Sequence, residues 1–389
     1  MKKIAVLCST DFYSYPVGGM MSFVKDIAPE LALCFDVDFW GVDAGSGVQS
    51  FSSGGSVFPV RHFGSVKTDR KILPNSLRVT WQLWTNRKKL LAGGYDAIYI
   101  HGIPLNAALP RRGRGPKRIN HVHGLNNPFN SLGKVSIGRK LLFFLYDALR
   151  QHALRQSDLV FLAADRQGVG PFIARFPTAA KIVPLPNFCD TSVFSTMVEA
   201  ADRPAAGLTS KDRIILFVGR QSAEKDPILA LKILKALKLS NSHNIPIKLV
   251  MIGAGPLQGE VEATVDRLGI KADVRLLGGQ SREQIARWMR AADVLLLTSH
   301  FEGFPVVLAE AAHCGLPMVC PKITGVHDLV ETGENGHIVD SRSPDDFVEP
   351  ILDTLVNRTR YGARSLELAE QCTSDSVLQR LCKELQGVI

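Results

Sequence analysis

The sequence predicts an α/β protein made of two doubly wound domains, each with a mostly parallel β-sheet covered by helices. Two observations predict it: short apolar runs alternate with amphipathic helical patterns along the chain, and a polar stretch interrupts the alternation near the middle. Runs that are apolar throughout are typical of parallel strands buried on both faces. With 389 residues, 46% of them hydrophobic, the chain is long enough for two such cores.

Ten apolar runs are predicted as strands, five in each half. The first five are KIAVLC, DVDFWGV, DAIYIHG, RINHVHG and DLVFLA, and the second five are RIILFVGR, IKLVMIG, DVRLLG, DVLLLTS and PMVCP. After Asp345 the pattern is helical to the end. The stretch EAADRPAAGLTSKD between the halves is polar, contains Pro and Gly and has no periodicity, as is typical of a linker. We therefore predict domains over residues 1–195 and 196–372.

Charge is distributed unevenly between the halves. Residues 1–190 contain 24 Lys and Arg against 12 Asp and Glu, whereas residues 191–389 contain 22 against 25. The basic first half predicts an anionic partner, which could be a membrane surface, a phosphorylated acceptor or a nucleic acid. Nucleic-acid binding stays open as an alternative of another class, although we find no RNP-like or helix-turn-helix pattern.

Cysteine usage and hydropathy favour a cytoplasmic protein, soluble or peripheral to a membrane. The seven cysteines include no CxxC pair, which is typical of a reducing compartment and argues against structural zinc. The most apolar later stretch, LLFFLYDAL, is far shorter than a membrane span. The apolar run after the initial lysines is too short for a signal peptide and is predicted as the first strand.

Two places at predicted strand ends carry phosphate-binding patterns, and ligands of open parallel sheets bind beyond the carboxyl ends of the strands. In PVGGMMSFV, Gly18 and Gly19 open a helix where backbone N–H groups can approach a ligand closely. In FVGRQSAEKDP, Arg220 and Lys225 are two cations that can hold a diphosphate in place of Mg²⁺. A simple loop and solvated charges are the respective alternatives.

The stretch LVMIGAGPLQGE looks like a dinucleotide-binding fingerprint, but its details disagree. The spacing of Gly253, Gly255 and Gly259 is one residue too long, and Pro256 stands where the pyrophosphate turn should continue. We interpret it as a structural strand–turn–helix.

The stretch HFEGFPVVLAEAAHCGLPMVC places two carboxylates eight positions apart in an apolar segment. Pro305 is predicted at the first helical position and Gly315 as the left-handed stop. The N–H groups of Phe304 through Val307 would attract a phosphate, whereas Glu302 and Glu310 would repel it and suit hydroxyl groups. A nucleotide sugar offers both kinds of group. The alternative is that both acids are buried in internal ion pairs with Arg or Lys.

Histidines also occur at predicted strand ends, His101 in IYIHG and His121 and His123 in NHVHG. Strand alternation places His121 and His123 on one face, with His123 nearer the carboxyl end. His123 is a candidate for contact with a sugar hydroxyl, and a structural role is the alternative.

Taken together, these motifs resemble the retaining glycosyltransferases of the GT-B fold, specifically family four of that classification. Glu302 and Glu310 match its E-x7-E signature, and Arg220 and Lys225 match its GR-x4-K element. PNFCDTSVF is similar to a P-N-G-x-D segment of the family, with Phe188 in place of the glycine. NHVHG is similar to the family strand that ends in the histidine of the catalytic site.

The resemblance implies two Rossmann-like domains facing a cleft, with the acceptor on the first, the donor mainly on the second, and a last helix over residues 373–389 crossing back to the first. It implies that neither a metal nor a cofactor is needed, since the nucleoside-diphosphate sugar is a co-substrate. The residues implied as catalytic are His123, Glu302, Arg220 and Lys225. Those implied to bind the donor are Gly18, Gly19, Arg220, Lys225, Gly279, Glu302, Gly303, Phe304, Pro305, Val306 and Glu310.

The activity implied is retaining transfer of a hexosyl group from a nucleoside-diphosphate sugar, with UDP favoured over GDP, to a hydroxyl of a glycan or lipid-linked acceptor. Synthesis of bacterial surface polysaccharide or lipopolysaccharide is the expected setting. The basic segments RRGRGPKR, WQLWTNRKKLL and IGRKLLFFLYDALR mix cations with aromatic residues and suit an anionic membrane surface, with solvated basic faces as the alternative. A sugar-nucleotide epimerase or hydrolase of the same fold is the nearer alternative activity.

Overall fold

The structure is a computed structural model, which describes residues 1–12, 19–43, 45, 47, 49–65, 75–110, 113, 115–123, 137–163, 166–196, 208–209, 211–240 and 245–389. Its contacts divide the chain into two compact units. Unit 1 comprises Met1–Pro186 together with Val377–Ile389, and unit 2 comprises Asn187–Ser376.

Unit 1 contains an eight-stranded sheet whose strand order is β3-β4-β2-β1-β5-β6-β7-β8. Neighbouring strands are parallel except β3 and β4, which form an antiparallel pair. The strands are β1 (Lys3–Cys8), β2 (Asp36–Asp43), β3 (Ser50–Ser53), β4 (Ser56–Ser65), β5 (Ala97–His101), β6 (Lys117–Val122), β7 (Leu159–Leu162) and β8 (Lys181–Pro184). β1, β5 and β7 are almost entirely buried, as expected for parallel strands with helices on both faces.

The helices of unit 1 are α1 (Gly19–Cys34), α2 (Asn75–Leu91), α3 (Ile137–Arg155), α4 (Arg166–Arg175) and α11 (Ser374–Val388), and a 3₁₀ helix spans Ile103–Ala108. The helices bury apolar residues, and those of α2, α3 and α4 share core clusters with the strands of this sheet. α11 is joined in the chain to unit 2 but packs in unit 1, where it buries Val377, Leu381 and Leu385. Its Glu384 carboxylate also lies 2.5 Å from the Lys181 ammonium at the start of β8.

Unit 2 contains a six-stranded parallel sheet in the order β11-β10-β9-β12-β13-β14. Its strands are β9 (Arg213–Val218), β10 (Ile247–Ile252), β11 (Val274–Leu276), β12 (Val294–Leu296), β13 (Met318–Pro321) and β14 (Gly336–Val339). Its helices are α5 (Pro227–Ser240), α6 (Gln258–Leu268), α7 (Arg282–Ala291), α8 (Val306–His313), α9 (Val348–Val356) and α10 (Arg358–Ala369). One core joins α5, α6 and α9 to the strands through residues such as Phe217, Met251 and Ile351.

The doubly wound α/β architecture is confirmed, and all ten predicted strands are present. The helical pattern after Asp345 is also confirmed, with 3₁₀ turns before α9 and after α10. Four strands were not predicted: β3, β4, β8 and β14. β14 was missed because its sequence, GHIV, begins with a glycine, and glycine is depleted in strands. The structure requires a glycine here, since Gly336 has φ 152° and a Cβ there would lie 1.8 Å from the Met318 carbonyl oxygen. No helix among the described residues is long and apolar enough to cross a membrane.

Candidate active site

The predicted phosphate-binding residues of unit 2 meet at a reversal of strand order. β9 has β10 on one side and β12 on the other, so the chain leaves the centre of the sheet in opposite directions. Ligands of open α/β sheets bind beyond the carboxyl ends of the strands at such a point. Arg220 and Lys225 lie in the loop after β9, Glu302 lies in the loop after β12, and Glu310 lies on α8, which follows that loop.

The two loops are tied together by hydrogen bonds to their backbones. The buried Thr298 hydroxyl lies 2.8 Å from the carbonyl oxygen of Lys225 and 2.9 Å from that of Asp226. The backbone N–H of His300 donates to the carbonyl oxygen of Glu224 at 2.8 Å. The first loop is therefore held to the second immediately before Glu302.

Arg342 reinforces this connection from the segment after β14. Its guanidinium donates to the carbonyl oxygens of Thr298 at 2.8 Å and Ser299 at 2.9 Å, and to the Asp226 carboxylate at 2.5 Å. Asp226 has φ 46°, an unfavourable conformation for a residue other than glycine, and its carboxylate also accepts the Leu229 N–H in the first turn of α5. Such strain persists only where surrounding contacts over-determine it, as these contacts do.

Lys225 and Glu302 form an ion pair. The Lys225 ammonium lies 2.5 Å from Glu302 Oε1, and the Ser299 hydroxyl donates to the same oxygen at 2.6 Å. The Lys225 side chain keeps 27% of its exposure and that of Glu302 keeps 11%. For Glu302 the structure therefore has the internal pairing that the sequence left open as the alternative, although both side chains retain access to solvent.

Glu310 differs from Glu302 in its surroundings. It is partly buried on α8, and burial raises the pKa of its carboxyl group from 4.5 to about 7, while the positive charge of Arg282 acts in the opposite direction. No hydrogen bond from a described residue contributes to this shift. The two acids of the E-x7-E pattern thus differ in their surroundings, since Glu302 forms an ion pair with a lysine, whereas burial brings the pKa of Glu310 close to neutral pH.

Helix α8 begins one residue later than predicted. Pro305 is the N-cap residue with extended backbone angles, the helix starts at Val306, and Gly315 has φ 63° after its end. Pro305 has no N–H, so the expected N–H groups over 304–307 reduce to those of Phe304, Val306 and Val307. The first N–H groups of a helix have no partner within it and favour an anion.

The glycines of GAGPLQGE serve close packing beside the Arg220 loop. A Cβ at Gly253 would lie 2.0 Å from the Gly219 carbonyl oxygen, and one at Gly255 would lie 2.3 Å from that of Gln221. The Gln221 N–H donates to the Ala254 carbonyl oxygen at 3.2 Å. These glycines let the segment after β10 pack directly on the loop after β9, which supports the structural interpretation of this motif.

The remaining predicted donor residues are placed as follows. The Arg220 side chain is exposed at the start of its loop. Gly279 follows Gly278, whose carbonyl oxygen accepts the Gly253 N–H at 2.7 Å, and space is open where a Cβ at Gly279 would be. Gly19 is the first residue of α1 in unit 1, and Gly18 lies outside the described residues.

In unit 1, three histidines cluster at the carboxyl ends of β5 and β6. His101 is paired in register with His121 on the neighbouring strand, and the ring of His121 stacks on that of His123 with centroids 4.1 Å apart. The His101 Nδ1 and His123 Nε2 atoms lie 2.8 Å apart, and the Tyr99 hydroxyl lies 2.6 Å from His121 Nδ1. Burial lowers the pKa of all three imidazoles, that of His123 to about 3, so they are neutral at physiological pH.

These histidines are also the group of described side chains that could hold a metal ion, with one nitrogen from each within 4.8 Å of the others. His101 and His123 share a hydrogen bond, so a metal ion bound through these two nitrogens would have to replace that bond. The Nε2 atoms of His101 and His121 are buried and have no hydrogen-bond partner among the described residues.

Sequence reasoning missed the residues that position the site, above all Thr298, Asp226 and Arg342. Asp226 did carry a signal, since an aspartate followed by a proline is typical of a helix start. Arg342 carried none, because it lies far along the chain and reaches the loops only through tertiary packing.

Comparison with known proteins finds a family resemblance in the second half of the chain. Residues 198–373 match the family model described as glycosyl transferases group 1. The D-inositol 3-phosphate glycosyltransferase of Mycobacterium sp. (strain JLS) is 34% identical over 175 residues, which cover 43% of this chain and 38% of that protein. The match thus spans well under half the length of this curated relative.

Similarity of structure extends over the whole chain. The sucrose-phosphate synthase of Thermosynechococcus elongatus has a TM-score of 0.80 at 16% identity, covering 100% of this chain and 99% of that one. Anabaena HepE, solved in complex with UDP and glucose, has a TM-score of 0.70 at 19% identity and covers 100% of both chains. Residues 198–373 are therefore similar to the glycosyl transferases group 1 family, and the chain has the GT-B fold.

Proposed function

We propose that this protein is a retaining, metal-independent glycosyltransferase that uses a nucleoside-diphosphate sugar as donor. The observation that carries the proposal is the arrangement at the strand-order reversal of unit 2. There the Lys225–Glu302 pair, the start of α8 and the partly buried Glu310 carboxyl group follow neighbouring strand ends. The family match of residues 198–373 supports the same conclusion.

The diphosphate of the donor would be bound by Arg220, Lys225 and the N–H groups at the start of α8, with Gly18 and Gly19 of unit 1 as further backbone contacts. Arginine and lysine form charge-assisted hydrogen bonds to phosphate, and helix N-termini favour anions. Backbone groups near Gly279 would contact the base. UDP is the favoured nucleotide and GDP the second, and the UDP complex of HepE supports that order.

The carboxylates would bind hydroxyl groups of the donor. Glu310 would accept hydrogen bonds from the ribose hydroxyls, and Glu302 from hydroxyls of the sugar. In the free protein Glu302 is paired with Lys225, so donor binding would redirect the lysine to phosphate and the glutamate to a hydroxyl. The ion pair then keeps both groups aligned before the donor arrives, which reduces the ordering that binding must impose.

The chemical step needs no nucleophile from the protein. The acceptor oxygen would form its bond to the anomeric carbon on the face from which the diphosphate leaves. As the bond to the diphosphate breaks, the leaving phosphate oxygen takes the acceptor proton. Lys225, Arg220 and the helix N–H groups would stabilise the charge that develops on the leaving group more than they stabilise the ground state. His123 would hold a hydroxyl of the donor sugar.

The acceptor is proposed to be a glycan or lipid-linked molecule bound by unit 1, in cytoplasmic synthesis of surface polysaccharide or lipopolysaccharide. α2 supports contact with an anionic membrane surface. Its Trp81 and Trp84 side chains are exposed and stack with ring centroids 5.1 Å apart, and Arg87 lies over the Trp84 ring at 4.7 Å. Exposed aromatic residues beside cations are typical of membrane-interface helices. Arg111, Arg112 and Arg114 of RRGRGPKR lie outside the described residues.

A thermal-shift screen of UDP-, GDP- and ADP-sugars, each with and without EDTA, tests the donor class. We expect a UDP-sugar to raise the melting temperature most, equally with EDTA. Incubation of the selected labelled donor without acceptor then separates transfer from the same-fold alternatives. Release of free sugar or an epimerised donor at a rate matching any transfer would contradict the proposal, as would the absence of a shift with every nucleotide sugar.

A further inference from the structure

Unit 1 contains a cavity at the carboxyl ends of β1, β5 and β6, with a volume of about 190 Å³. Helices α2 and α3 close its sides. Pockets for drug-sized ligands measure about 300–1,000 Å³, so this one suits a single small ring rather than an oligosaccharide chain. The residues that line it are Ser9, Met20, Ser76, Thr80, Gly102, Ile103, Pro104, Leu105, His121, Val122, His123, Tyr146 and Arg150.

The polar groups of the cavity are mostly hydroxyls. Ser9, Ser76, Thr80 and Tyr146 each contribute one, and the Tyr146 hydroxyl donates to Ser76 Oγ at 3.2 Å. A serine or threonine hydroxyl can both donate and accept a hydrogen bond, as can the hydroxyls of a sugar or another polyol. His123 also lines this cavity. These features fit a polyhydroxylated ligand with one hydroxyl close to that histidine.

Arg150 gives the cavity its charge. It is the only residue with a permanent charge among the described lining residues, which include no carboxylate. Its side chain is 2% exposed and lies over the Phe176 ring at 4.9 Å. The Asp147 carboxylate contacts both Arg150, at 3.4 Å, and Arg175, at 2.8 Å, so these three side chains together carry a net positive charge. A buried arginine attracts an anion more strongly than an exposed one, since little water screens it.

We propose that this cavity binds the anionic group and ring of the acceptor, and that the acceptor is a polyhydroxylated acid such as a phosphorylated or carboxylated sugar. Arg150 binds the anion, and the hydroxyls of α2 and α3 fix the ring close to His123. This inference rests on the proposed function, because it names the acceptor class of that reaction. Phosphate and carboxylate share the recognition chemistry, and the experiment separates them.

The test measures binding of three probes to the full chain by calorimetry without donor: glucose 6-phosphate, glucuronate and glucose. We expect one of the two anions to bind at least tenfold more tightly than glucose, and the tighter of the two identifies phosphate or carboxylate. In Arg150→Met the preference for the anion should fall to within threefold of glucose. The matched control is Arg155→Met, which removes an exposed arginine of the same helix outside the cavity and should change each affinity less than twofold.

A second variant keeps the test decisive if Arg150→Met does not fold. Thr80→Val removes a neutral hydroxyl from the wall and should weaken all three probes by a similar factor, leaving the anion preference intact. Equal affinities for glucose and both anions in the wild type would overturn the inference, as would an anion preference that survives in Arg150→Met or disappears in Thr80→Val. UDP binding is measured in the same samples. UDP binding without anion binding contradicts this inference alone, whereas a lack of UDP binding contradicts the proposed function.

Discussion

Replacing Glu310 with glutamine should remove a pH dependence that the folded protein has near neutral pH. Burial raises the pKa of this carboxyl group from 4.5 to about 7. Between these values the folded state holds a proton that the unfolded state has released, so the contribution of this group to stability falls as pH rises from about 4.5 to about 7. Above pH 7 the contribution stays constant at its lowest value.

The size of this pKa shift sets a ceiling on the effect on stability. At about 1.4 kcal/mol per unit of pKa, a rise from 4.5 to about 7 corresponds to about 3 kcal/mol. Solvent reaches part of the side chain, and screening brings the expected figure to about 1–2 kcal/mol. Glu310→Gln should therefore be more stable than the wild type by about that amount at pH 8 and nearly equal to it at pH 4.5.

The same titration should govern donor affinity if Glu310 binds the ribose hydroxyls in its ionised form. With a pKa of about 7, roughly a tenth of the protein is ionised at pH 6 and nine tenths at pH 8, so UDP affinity should rise about tenfold between them. Because the terminal phosphate of UDP itself titrates near pH 6, the UDP affinity of the wild type is compared with that of Glu310→Gln at the same pH.

Urea unfolding at pH 4.5, 6 and 8 and calorimetry with UDP at pH 6 and 8 make these measurements, and the Cδ resonance of labelled glutamate gives the pKa directly. The control Glu262→Gln alters an exposed glutamate of α6 and should leave both pH profiles unchanged. A stability difference between wild type and Glu310→Gln that does not vary with pH would refute the reasoning. So would a Glu310 resonance that titrates near 4.5.

Three further substitutions test the site. Lys225→Met should lower kcat/KM for transfer by well over tenfold while the circular dichroism spectrum stays intact. The control Lys232→Met, on the exposed side of α5, should leave kcat/KM unchanged. Equal values of kcat/KM in the two variants would refute the role of Lys225. Thr298→Val should cost about 1–3 kcal/mol in thermal unfolding and weaken UDP binding, because it removes the buried donor that ties Lys225 to its neighbouring loop; an unchanged melting temperature would argue against that tie. Gly253→Ala should lower the melting temperature strongly through its clash with a backbone oxygen, while Gly259→Ala, with open space at its Cβ, should leave it equal or slightly higher; similar melting temperatures would contradict the packing role.

The sequence predicted the parts of the fold that depend on local pattern. Continuous apolar runs gave ten strands, and Gly315 was identified from its position after the periodic segment, because a glycine in the left-handed conformation commonly ends a helix. The strands that it missed lie in the outer parts of the two sheets. At the edges, half-buried strands such as KIVP and GHIV are too short and too mixed for a clear period.

The candidate site was likewise predictable from the sequence only in part. Glu302, Glu310 and Lys225 follow strands whose ends the pattern locates, so their neighbourhood was predictable. Their mutual relations were not, because the Lys225–Glu302 contact depends on how two loops 77 residues apart in sequence pack together. The raised pKa of Glu310 likewise depends on burial by neighbours that no local spacing reveals.

The return of α11 to unit 1 has a consequence for biosynthesis. Residues up to 186 leave the ribosome long before residues 377–389, and the whole of unit 2 is made in between. Until α11 has been synthesised, the apolar surface that contacts Val377, Leu381 and Leu385 is exposed to water. Unit 2 can therefore complete its packing during translation before unit 1 does. Assembly of the first unit is thereby timed by synthesis of the second.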